Sequence, residues 1–271
     1  MTFFKYHGTG NDFIIVDNRR DIFNMKGLSK QAMIAGLCHR HYGVGADGLI
    51  LLQNEKKADF RMEYFNADGK EGSFCGNGAR CIVAYAHQNG IIKTGFTNFN
   101  AFDGLHEAEV IEKYGDKYTV NLGLHDAIVE EKTSKTEYIV NTGSPHLVLF
   151  TNKLAEIDVN KTGKERRNAA EFRPNGVNVN YVQVVDETTL SIRTYERGVE
   201  RETLSCGTGI VAAALAYGTY NRINSDTIYS VHSAGGKVEV KLNPPSGAKG
   251  AFTDIRLIGP AQYVFKGTVK L

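Results

Sequence analysis

Two cysteines in this sequence stand in the same setting, and that setting suits acid/base chemistry. Cys75 opens the stretch CGNGARCIVAYA and Cys206 opens CGTGIVAAALAY, so each Cys-Gly-x-Gly precedes an Ala-rich apolar segment. The apolar segments predict buried helices over Gly76–Gln88 and Gly207–Asn221, each with its cysteine at the N-terminus. The unpaired N–H groups and the positive dipole end at such a position stabilise a thiolate and bind an anionic ligand.

A thiol and a thiolate at one ligand can invert a carbon that carries a C–H bond. The reaction needs a base on one face of the carbon and an acid on the other, and the two groups exchange roles in the reverse direction. The helix N-termini would stabilise a carbanion beside a carboxylate without a metal. The alternative is that Cys75 and Cys206 are small buried residues at tight turns, an interpretation that the recurrence of the motif disfavours.

The cysteine motifs belong to an internal repeat. They lie 131 residues apart, and TGNDFIIV from Thr9 is followed 133 residues later by TGSPHLVL from Thr142. Matches at a nearly constant offset predict two structurally similar halves. We expect one half at 1–120, completed by a C-terminal strand at 257–271, and the other at 121–256.

The remaining pattern predicts mixed secondary structure without a strict βαβ alternation. A third helix is expected over 29–42 and a solvated helical face over 161–167. Strands are expected at 3–7, 12–17, 49–53, 59–65, 138–141, 146–150, 177–185, 189–195, 237–242 and 254–258. We therefore predict an α+β (mixed α/β) fold of two pseudo-symmetric domains, each with strands wrapped around a central buried helix, and an active site in the interdomain cleft.

Composition excludes several classes of protein. The 271 residues are 42% hydrophobic and 23% charged, as in globular chains. A net charge of only +2 disfavours a broad nucleic-acid-binding face. The longest strongly apolar run, at 210–216, is too short to span a membrane, and the first residues have no signal-peptide pattern. We expect a cytoplasmic protein that binds neither nucleic acid nor membrane.

The other two cysteines are interpreted as packing residues. Cys38 falls in the predicted helix 29–42, and Cys81 lies more than one helical turn after Cys75. The sequence has no C-x-x-C pair, so neither a disulfide framework nor a structural zinc site is expected. No sequence feature marks a lysine that would hold pyridoxal phosphate.

Several motifs in fixed order make the chain similar to a known enzyme family. The most specific are FNADG at 65–69, FCGNGARC at 74–81, GSPH at 143–146, YERG at 195–198 and SCGTG at 205–209. Together with HGTGNDFIIVD at 7–17, they give a resemblance to the diaminopimelate epimerases over essentially the whole chain. The resemblance implies a pyridoxal-independent isomerase that converts LL-2,6-diaminopimelate to the meso form in lysine and peptidoglycan-precursor biosynthesis.

The resemblance also implies roles for individual residues. Cys75 and Cys206 match the two catalytic acid/base cysteines, and His146 and Glu196 match residues thought to help deprotonate and position the thiols. The positions that match substrate-binding residues are Asn11, Asn66, Gly76, Asn77, Asn178, Glu196, Arg197, Gly207 and Thr208. Arg197 suits a two-pronged contact with the distant carboxylate of the substrate. The family uses no cofactor and no metal, and the resemblance implies a homodimer.

Two positions depart from the family pattern. Ser144 stands in GSPH where the commonest pattern has Asn, and serine keeps a hydrogen-bonding group that reaches less far. Gly48 stands where some members have Gln, and glycine offers no side chain. Neither position carries a reacting thiol, so we expect activity to persist.

Three other functions share some of these features. A proline or hydroxyproline racemase would carry paired cysteines but would not need to bind a second charged end, which YERG and FNADG favour. The phenazine-biosynthesis isomerases are related but lack the cysteine pair. A thiol redox sensor would join the two cysteines in a reversible disulfide, which requires Cα atoms within about 7 Å of each other. Such a sensor would exchange no solvent deuterium into an amino acid.

Overall fold

Strands and helices are mixed along the chain and fall into two units. The computed structural model describes residues 1–23, 27–132, 134, 136–247 and 250–270. The first unit comprises 1–122 together with 259–271, and the second comprises 123–258. The C-terminal segment therefore returns to the first unit. Leu271, the last residue of the expected C-terminal strand, lies outside the described residues.

The strands of the first unit form a closed order, in which the last strand pairs with the first. Its elements are β1 (Thr2–Gly8), β2 (Asn11–Asp17), α1 (Gly27–Cys38), β3 (Gly48–Gln53), β4 (Phe60–Asn66), α2 (Gly76–Gln88), β5 (Phe96–Ala101), β6 (Gly104–Tyr114), β7 (Lys117–Gly123) and most of β16 (Arg256–Thr268). The β2–β3 and β4–β5 pairs are parallel, and the β1–β2, β3–β4, β5–β6, β6–β7 and β1–β16 pairs are antiparallel. Since β16 lies between β1 and β7, these strands can enclose a helix.

The second unit repeats this pattern with its own elements. They are β8 (Val129–Lys132), β9 (Glu137–Asn141), β10 (Pro145–Phe150), α3 (Val159–Arg167), β11 (Asn178–Val184), β12 (Thr189–Glu196), β13 (Arg201–Thr203), α4 (Gly207–Asn221), β14 (Thr227–Ser233), β15 (Gly236–Leu242) and the first residues of β16, with short 3-10 helices at Leu154–Glu156 and Ala170–Phe172. The β10–β11 and β12–β14 pairs are parallel, and β9–β10, β11–β12 and β14–β15 are antiparallel.

The two units share one order of elements. The run β1–β2–α1–β3–β4–α2–β5–β6 corresponds element by element to β9–β10–α3–β11–β12–α4–β14–β15, with β13 as an insertion. In both runs a helix connects each parallel pair, as a parallel connection requires. The constant offset between sequence motifs is therefore a structural repeat, and the predicted mixed fold is confirmed.

Each unit has one central helix, as predicted, and both helices have the predicted bounds. α2 is buried from Gly76 to Ala86 and packs against β1, β2, β3, β4 and β6. α4 is buried over most of its length and packs against β8 to β12, β14 and β15. The buried part of α4 is small or apolar on every face, and such a helix is stable only when surrounded. In the part of the chain that the structure describes, no helix is both long and apolar enough to cross a membrane.

Helix α1 is shorter than the sequence predicted. It ends at Cys38, whereas the expected helix continued to Tyr42. The N–H groups of Gly45 and Ala46 bond the carbonyls of Leu37 and Cys38 at 3.0 Å, so the chain folds back over the helix end. A Cβ atom on Gly43 would overlap the carbonyl oxygens at that end, so the return depends on glycine there. Tyr42 is consequently 91% exposed.

Several strands were not predicted, whereas the C-terminal strand expected at 257–271 is present as β16. The missed strands are β5, β6, β7, β8, β13 and β14. β6 reads GLHEAEVIEKY, in which exposed charged residues outnumber buried apolar ones. Pro260 interrupts the strand pattern of β16, but it lies between the residues paired with β15 and those paired with β1.

The second glycine of each Cys-Gly-x-Gly motif lets a neighbouring side chain pack against the helix backbone. The neighbour is a polar amide at Gly209 and apolar side chains at Gly78. A Cβ atom on Gly209 would overlap Oδ1 of Asn180, a buried amide that is hydrogen-bonded to its surroundings. A Cβ atom on Gly78 would meet the flexible side-chain ends of Ile50 at 3.0 Å and Met62 at 3.2 Å.

We therefore expect Gly209→Ala to destabilise the protein by about 1–3 kcal/mol, because the fixed amide cannot move. Gly78→Ala, the matched control at the equivalent position, should cost less than about 1 kcal/mol because methyl ends can shift. Urea unfolding midpoints of the two variants measure the difference. Equal losses would contradict this explanation.

Candidate active site

Cys75 lies at the N-terminus of α2 beside a group of side-chain amides. It is the N-cap residue, with φ −122° and ψ 106°, and its side chain does not cap the helix. Its Sγ lies 3.8 Å from Oδ1 of Asn11, which also accepts a 3.2 Å hydrogen bond from Nδ2 of Asn77. The hydroxyl of Thr9 lies 3.4 Å from Oδ1 of Asn77. Four predicted site residues, Asn11, Cys75, Gly76 and Asn77, thus come together in the first unit.

Cys206 occupies the equivalent position at the N-terminus of α4. It is the N-cap residue, with φ −110° and ψ 108°, and it is 8% exposed. Its Sγ lies 3.5 Å from the hydroxyl oxygen of Thr208, and that oxygen lies 3.0 Å from Nε2 of His146. His146 therefore connects to the sulfur through Thr208. The predicted residues Cys206, Gly207, Thr208 and His146 come together in the second unit.

His146 is a buried neutral imidazole with a defined tautomer. Nδ2 of Asn180 donates to its Nδ1 at 3.1 Å, while Oδ1 of Asn180 accepts a 3.0 Å bond from the hydroxyl of Thr194. Since Nδ1 accepts, Nε2 carries the hydrogen and faces Thr208. Full burial lowers the pKa of His146 to about 3. His146 is therefore a poor base near neutral pH and can act by orienting the Thr208 hydroxyl toward Cys206.

The other predicted residues of the second unit surround this group. Nδ2 of Asn178 donates to Oγ of Ser144 at 3.2 Å, and its Oδ1 accepts a 2.8 Å bond from the backbone N–H of Arg197. Oγ of Ser144 lies 3.0 Å from Nε2 of His146. The serine that departs from the family pattern therefore lies in the site. Asn178 positions both Ser144 and the start of the Arg197 turn.

Glu196 and Asn66 end equivalent strands in the two units. Glu196 is half-buried at the end of β12, and one of its carboxylate oxygens accepts a 2.9 Å bond from the hydroxyl of Thr203. Asn66 is exposed at the end of β4. Gly48 pairs with Asn66, and a Cβ atom on Gly48 would meet the ring of Tyr64 at 2.5 Å. A glutamine in place of Gly48 would not fit beside this tyrosine.

The sequence analysis missed several residues that hold the site residues. They are Asp47, Arg80, Thr142 and Asn180, which bond Asn11, Asn77, Thr208 and His146, respectively. Asn180 follows Asn178 by two residues on strand β11, so both side chains face the same side. That spacing was the available signal for Asn180, and the i, i+3 spacing of Asn77 and Arg80 on α2 was the signal for Arg80. Asp47 and Thr142 lie far in sequence from their partners.

Cys38 and Cys81 are packing residues, as predicted. They are 3% and 0% exposed. Burial raises the pKa of the Cys38 thiol to about 12 and raises that of Cys81 further, so both remain protonated near neutral pH. Among the four cysteines, only Cys75 and Cys206 stand at helix N-termini.

The two groups of residues offer the same chemistry in slightly different forms. Each places a thiol beside the first N–H groups of a buried helix whose first turn has no acidic side chain. Such an end attracts a carboxylate and stabilises negative charge on sulfur or on a ligand. Each group can therefore bind an acidic small molecule and transfer a proton at its thiol.

Comparison with known proteins matches the chain to the diaminopimelate epimerases along most of its length. A family model described as Diaminopimelate epimerase matches residues 3–125 and 138–263. The chain is 45% identical over 270 residues to the diaminopimelate epimerase of Flavobacterium psychrophilum, covering 99% of this chain and 100% of that protein. It is 41% identical over 271 residues to that of Chlorobaculum tepidum, covering 97% of this chain and 99% of that protein.

Solved structures at low identity share the fold. A Bacillus anthracis phenazine biosynthesis protein of the PhzF family matches with a TM-score of 0.77 at 17% identity, covering 100% of this chain and 99% of that chain. A probable proline racemase from Agrobacterium radiobacter matches with a TM-score of 0.75 at 16% identity, covering 100% and 93%. At such identity the likeness concerns the arrangement of strands and helices and not the reaction.

The bridging hydroxyl of Thr208 should help Cys206 ionise. An O–H donor stabilises a thiolate, so Thr208→Val should raise the pH at which Cys206 reacts with iodoacetamide by about half a unit to one unit. Thr208→Ser keeps the hydroxyl and should behave like the parent protein. Peptide mass spectrometry across a pH series measures both, and an unchanged Cys206 profile in Thr208→Val would contradict the bridge.

The buried neutral His146 should make stability depend on pH. In the unfolded chain its pKa returns to about 6.5, so the unfolded state binds a proton that the folded state excludes. The free energy of unfolding should therefore fall as pH drops below about 6.5, by up to about 1.4 kcal/mol per pH unit from this residue, until pH approaches 3. Denaturant titrations at pH 7 and pH 5 measure this change in the free energy of unfolding. His146→Gln should lack it, and parallel pH dependences of the two proteins would contradict the assignment.

Proposed function

The chain belongs to the diaminopimelate epimerase family, and on that premise we propose that it converts LL-2,6-diaminopimelate to meso-diaminopimelate. The reaction would serve lysine and peptidoglycan-precursor biosynthesis. The observation that carries the proposal is the repeated helix N-terminus, with Cys75 in one unit and Cys206 in the other, in a chain that matches the family model over 3–125 and 138–263.

In the proposed mechanism the two thiols are the acid and the base. A thiolate removes the proton from the α-carbon, and the electron pair of the C–H bond remains on that carbon, beside the carboxylate. The other thiol delivers its proton to the opposite face, so the configuration inverts. After one turnover the two sulfurs have exchanged protonation states. Assignment of these roles to Cys75 and Cys206, in a cleft between the domains, is a prediction from the sequence.

The helix N-termini would stabilise the carbanion. We propose that the first-turn backbone N–H groups of Gly76 and Asn77, together with those of Gly207 and Thr208, bind the carboxylate at the reacting end. In such a site negative charge develops beside fixed N–H dipoles, which need not reorganise during the reaction.

His146 would support Cys206 through Thr208 and not as the proton acceptor. Its low pKa, caused by burial, keeps the imidazole neutral, and the Thr208 hydroxyl lies between it and the sulfur. This refines the role that the sequence resemblance implied for His146. For Glu196 the implied role in positioning a thiol stays a prediction.

Recognition of the distant end would distinguish this substrate from smaller amino acids. We propose that Arg197 binds the distant carboxylate while Asn66, Asn178 and Glu196 bind the rest of the chain. The backbone N–H of Arg197 is held by Asn178 at 2.8 Å, which supports a fixed starting point for the guanidinium. Proline has no second charged end, so such contacts would not select it.

We also propose the finer properties that the family resemblance suggests. These are a cytoplasmic location, a homodimeric assembly and catalysis without a cofactor. We further propose that the two units are the two epimerase halves, each supplying one thiol.

Each of the two thiols should be indispensable. Cys75→Ala and Cys206→Ala should each lower the rate of epimerisation of LL-diaminopimelate by about a thousandfold or more, because proton transfer on one face is lost. Cys38→Ala, which removes a buried thiol elsewhere, is the matched control and should retain most activity once its folding is verified. Chiral chromatography of the product measures the rates.

Two outcomes would contradict the proposal. One is full turnover by either thiol variant, which would refute the two-thiol mechanism. The other is a substrate panel in which the parent protein racemises proline or hydroxyproline but leaves diaminopimelate unchanged.

A further inference from the structure

We propose that Asp47 and Arg80 are positioning residues, which orient the amides of Asn11 and Asn77 so that a carbonyl oxygen faces Cys75. The inference rests on the proposed acid/base role of Cys75. The family resemblance implied no site role for Asp47 or for Arg80, although Arg80 lies in the motif at 74–81. All the residues involved lie in the first unit.

Arg80 fixes one end of this chain of hydrogen bonds. Its guanidinium is fully buried, and Nη2 donates to Oδ1 of Asn77 at 2.8 Å. Its other nitrogens lie 3.4 Å from the carbonyl oxygen of Gly76 and 3.3 Å from that of Pro260. A guanidinium can only donate, so the oxygen of Asn77 must face Arg80 and its nitrogen must face Asn11.

Asp47 fixes the other end independently. Its Oδ2 accepts a 2.9 Å bond from Nδ2 of Asn11 and a 3.3 Å bond from the backbone N–H of Asp12. Its Oδ1 pairs with Arg40 at 2.7 Å, which holds the carboxylate in place. A carboxylate can only accept, so the nitrogen of Asn11 must face Asp47.

Both ends therefore give the same orientation of Asn11. Its oxygen accepts from Asn77 at 3.2 Å and lies 3.8 Å from Sγ of Cys75. A carbonyl oxygen accepts a hydrogen bond from a thiol but repels a thiolate, whereas a reversed amide would donate to a thiolate. The arrangement therefore favours the protonated form of Cys75.

Loss of the negative charge of Asp47 could by itself change how readily Cys75 ionises, and Asp12 offers a control for that effect. The charged or titratable groups on the elements around Cys75 include Lys5, Asp12, Arg40, Asp47, Arg80 and His106. Asp12 belongs to the same ion cluster as Asp47, because it pairs with Lys5 and Arg40, each at 2.7 Å. The Asp12 carboxylate, however, makes no described bond to Asn11. Asp12→Asn thus removes the same charge without freeing the Asn11 amide.

The test is the pH dependence of Cys75 alkylation by iodoacetamide, resolved by peptide mass spectrometry, in the full chain. In Asp47→Asn the new amide can donate to the Asn11 oxygen, so Asn11 can reverse in a fraction of the molecules, at the cost of its bond from Nδ2 of Asn77. We expect Cys75 to react at a pH lower by about half a unit than in Asp12→Asn, with the Cys206 profile unchanged. Equal shifts in the two variants, or no shift in Asp47→Asn, would overturn the proposal. Thermal unfolding confirms that each variant is folded.

A second pair of variants covers the case in which Asp47→Asn does not fold. Asp47→Glu keeps a carboxylate, which only accepts hydrogen bonds. Asp47→Gln introduces an amide, which can also donate. The Glu variant should retain the parent profile of Cys75 and the Gln variant should shift it downward. Identical profiles would count against the proposal. Alkylation needs no turnover of diaminopimelate, so failure of this inference is distinguishable from failure of the proposed function.

Discussion

The start of a helix buried within its own sheet is the constraint on which both units depend. The first N–H groups of such a helix have no partner in the helix, and burial makes an unpaired polar group costly. In each unit a Cys-Gly-x-Gly motif places a sulfur and small residues at this point, and polar side chains from neighbouring strands supply the surrounding hydrogen bonds. The same electrostatic feature that requires these partners also attracts an acidic ligand.

The two units satisfy this constraint with different side chains. The first uses two amides held between a buried guanidinium and a carboxylate, so the group next to Cys75 is an acceptor. The second uses a neutral His146 and the hydroxyl of Thr208, which can donate to Cys206. A repeat with equivalent backbones thus gives its two sulfurs unlike surroundings.

The sequence predicted the local features and missed the distant partners. The bounds of α2 and α4 follow from a motif and an apolar pattern that lie within one segment, so both helices were found at their observed ends. β6 was missed because its residues are largely polar and its partners come from other segments. Asp47 was missed as a partner of the site because it bonds Asn11 across 36 residues, and nothing in its own neighbourhood of sequence marks that amide. Arg80 was missed although it lies three residues from Asn77 on the same helix, because a helical pattern does not show which way a buried guanidinium turns.

The most direct test of the account is proton exchange at the substrate α-carbon. Folded protein is incubated with LL-diaminopimelate in heavy water without added cofactor, and NMR follows the α-position. If one sulfur removes the proton and another returns one from solvent, deuterium should enter that position as the meso isomer forms. Formation of the meso isomer with its α-hydrogen fully retained, or no reaction of folded protein, would contradict the two-thiol account.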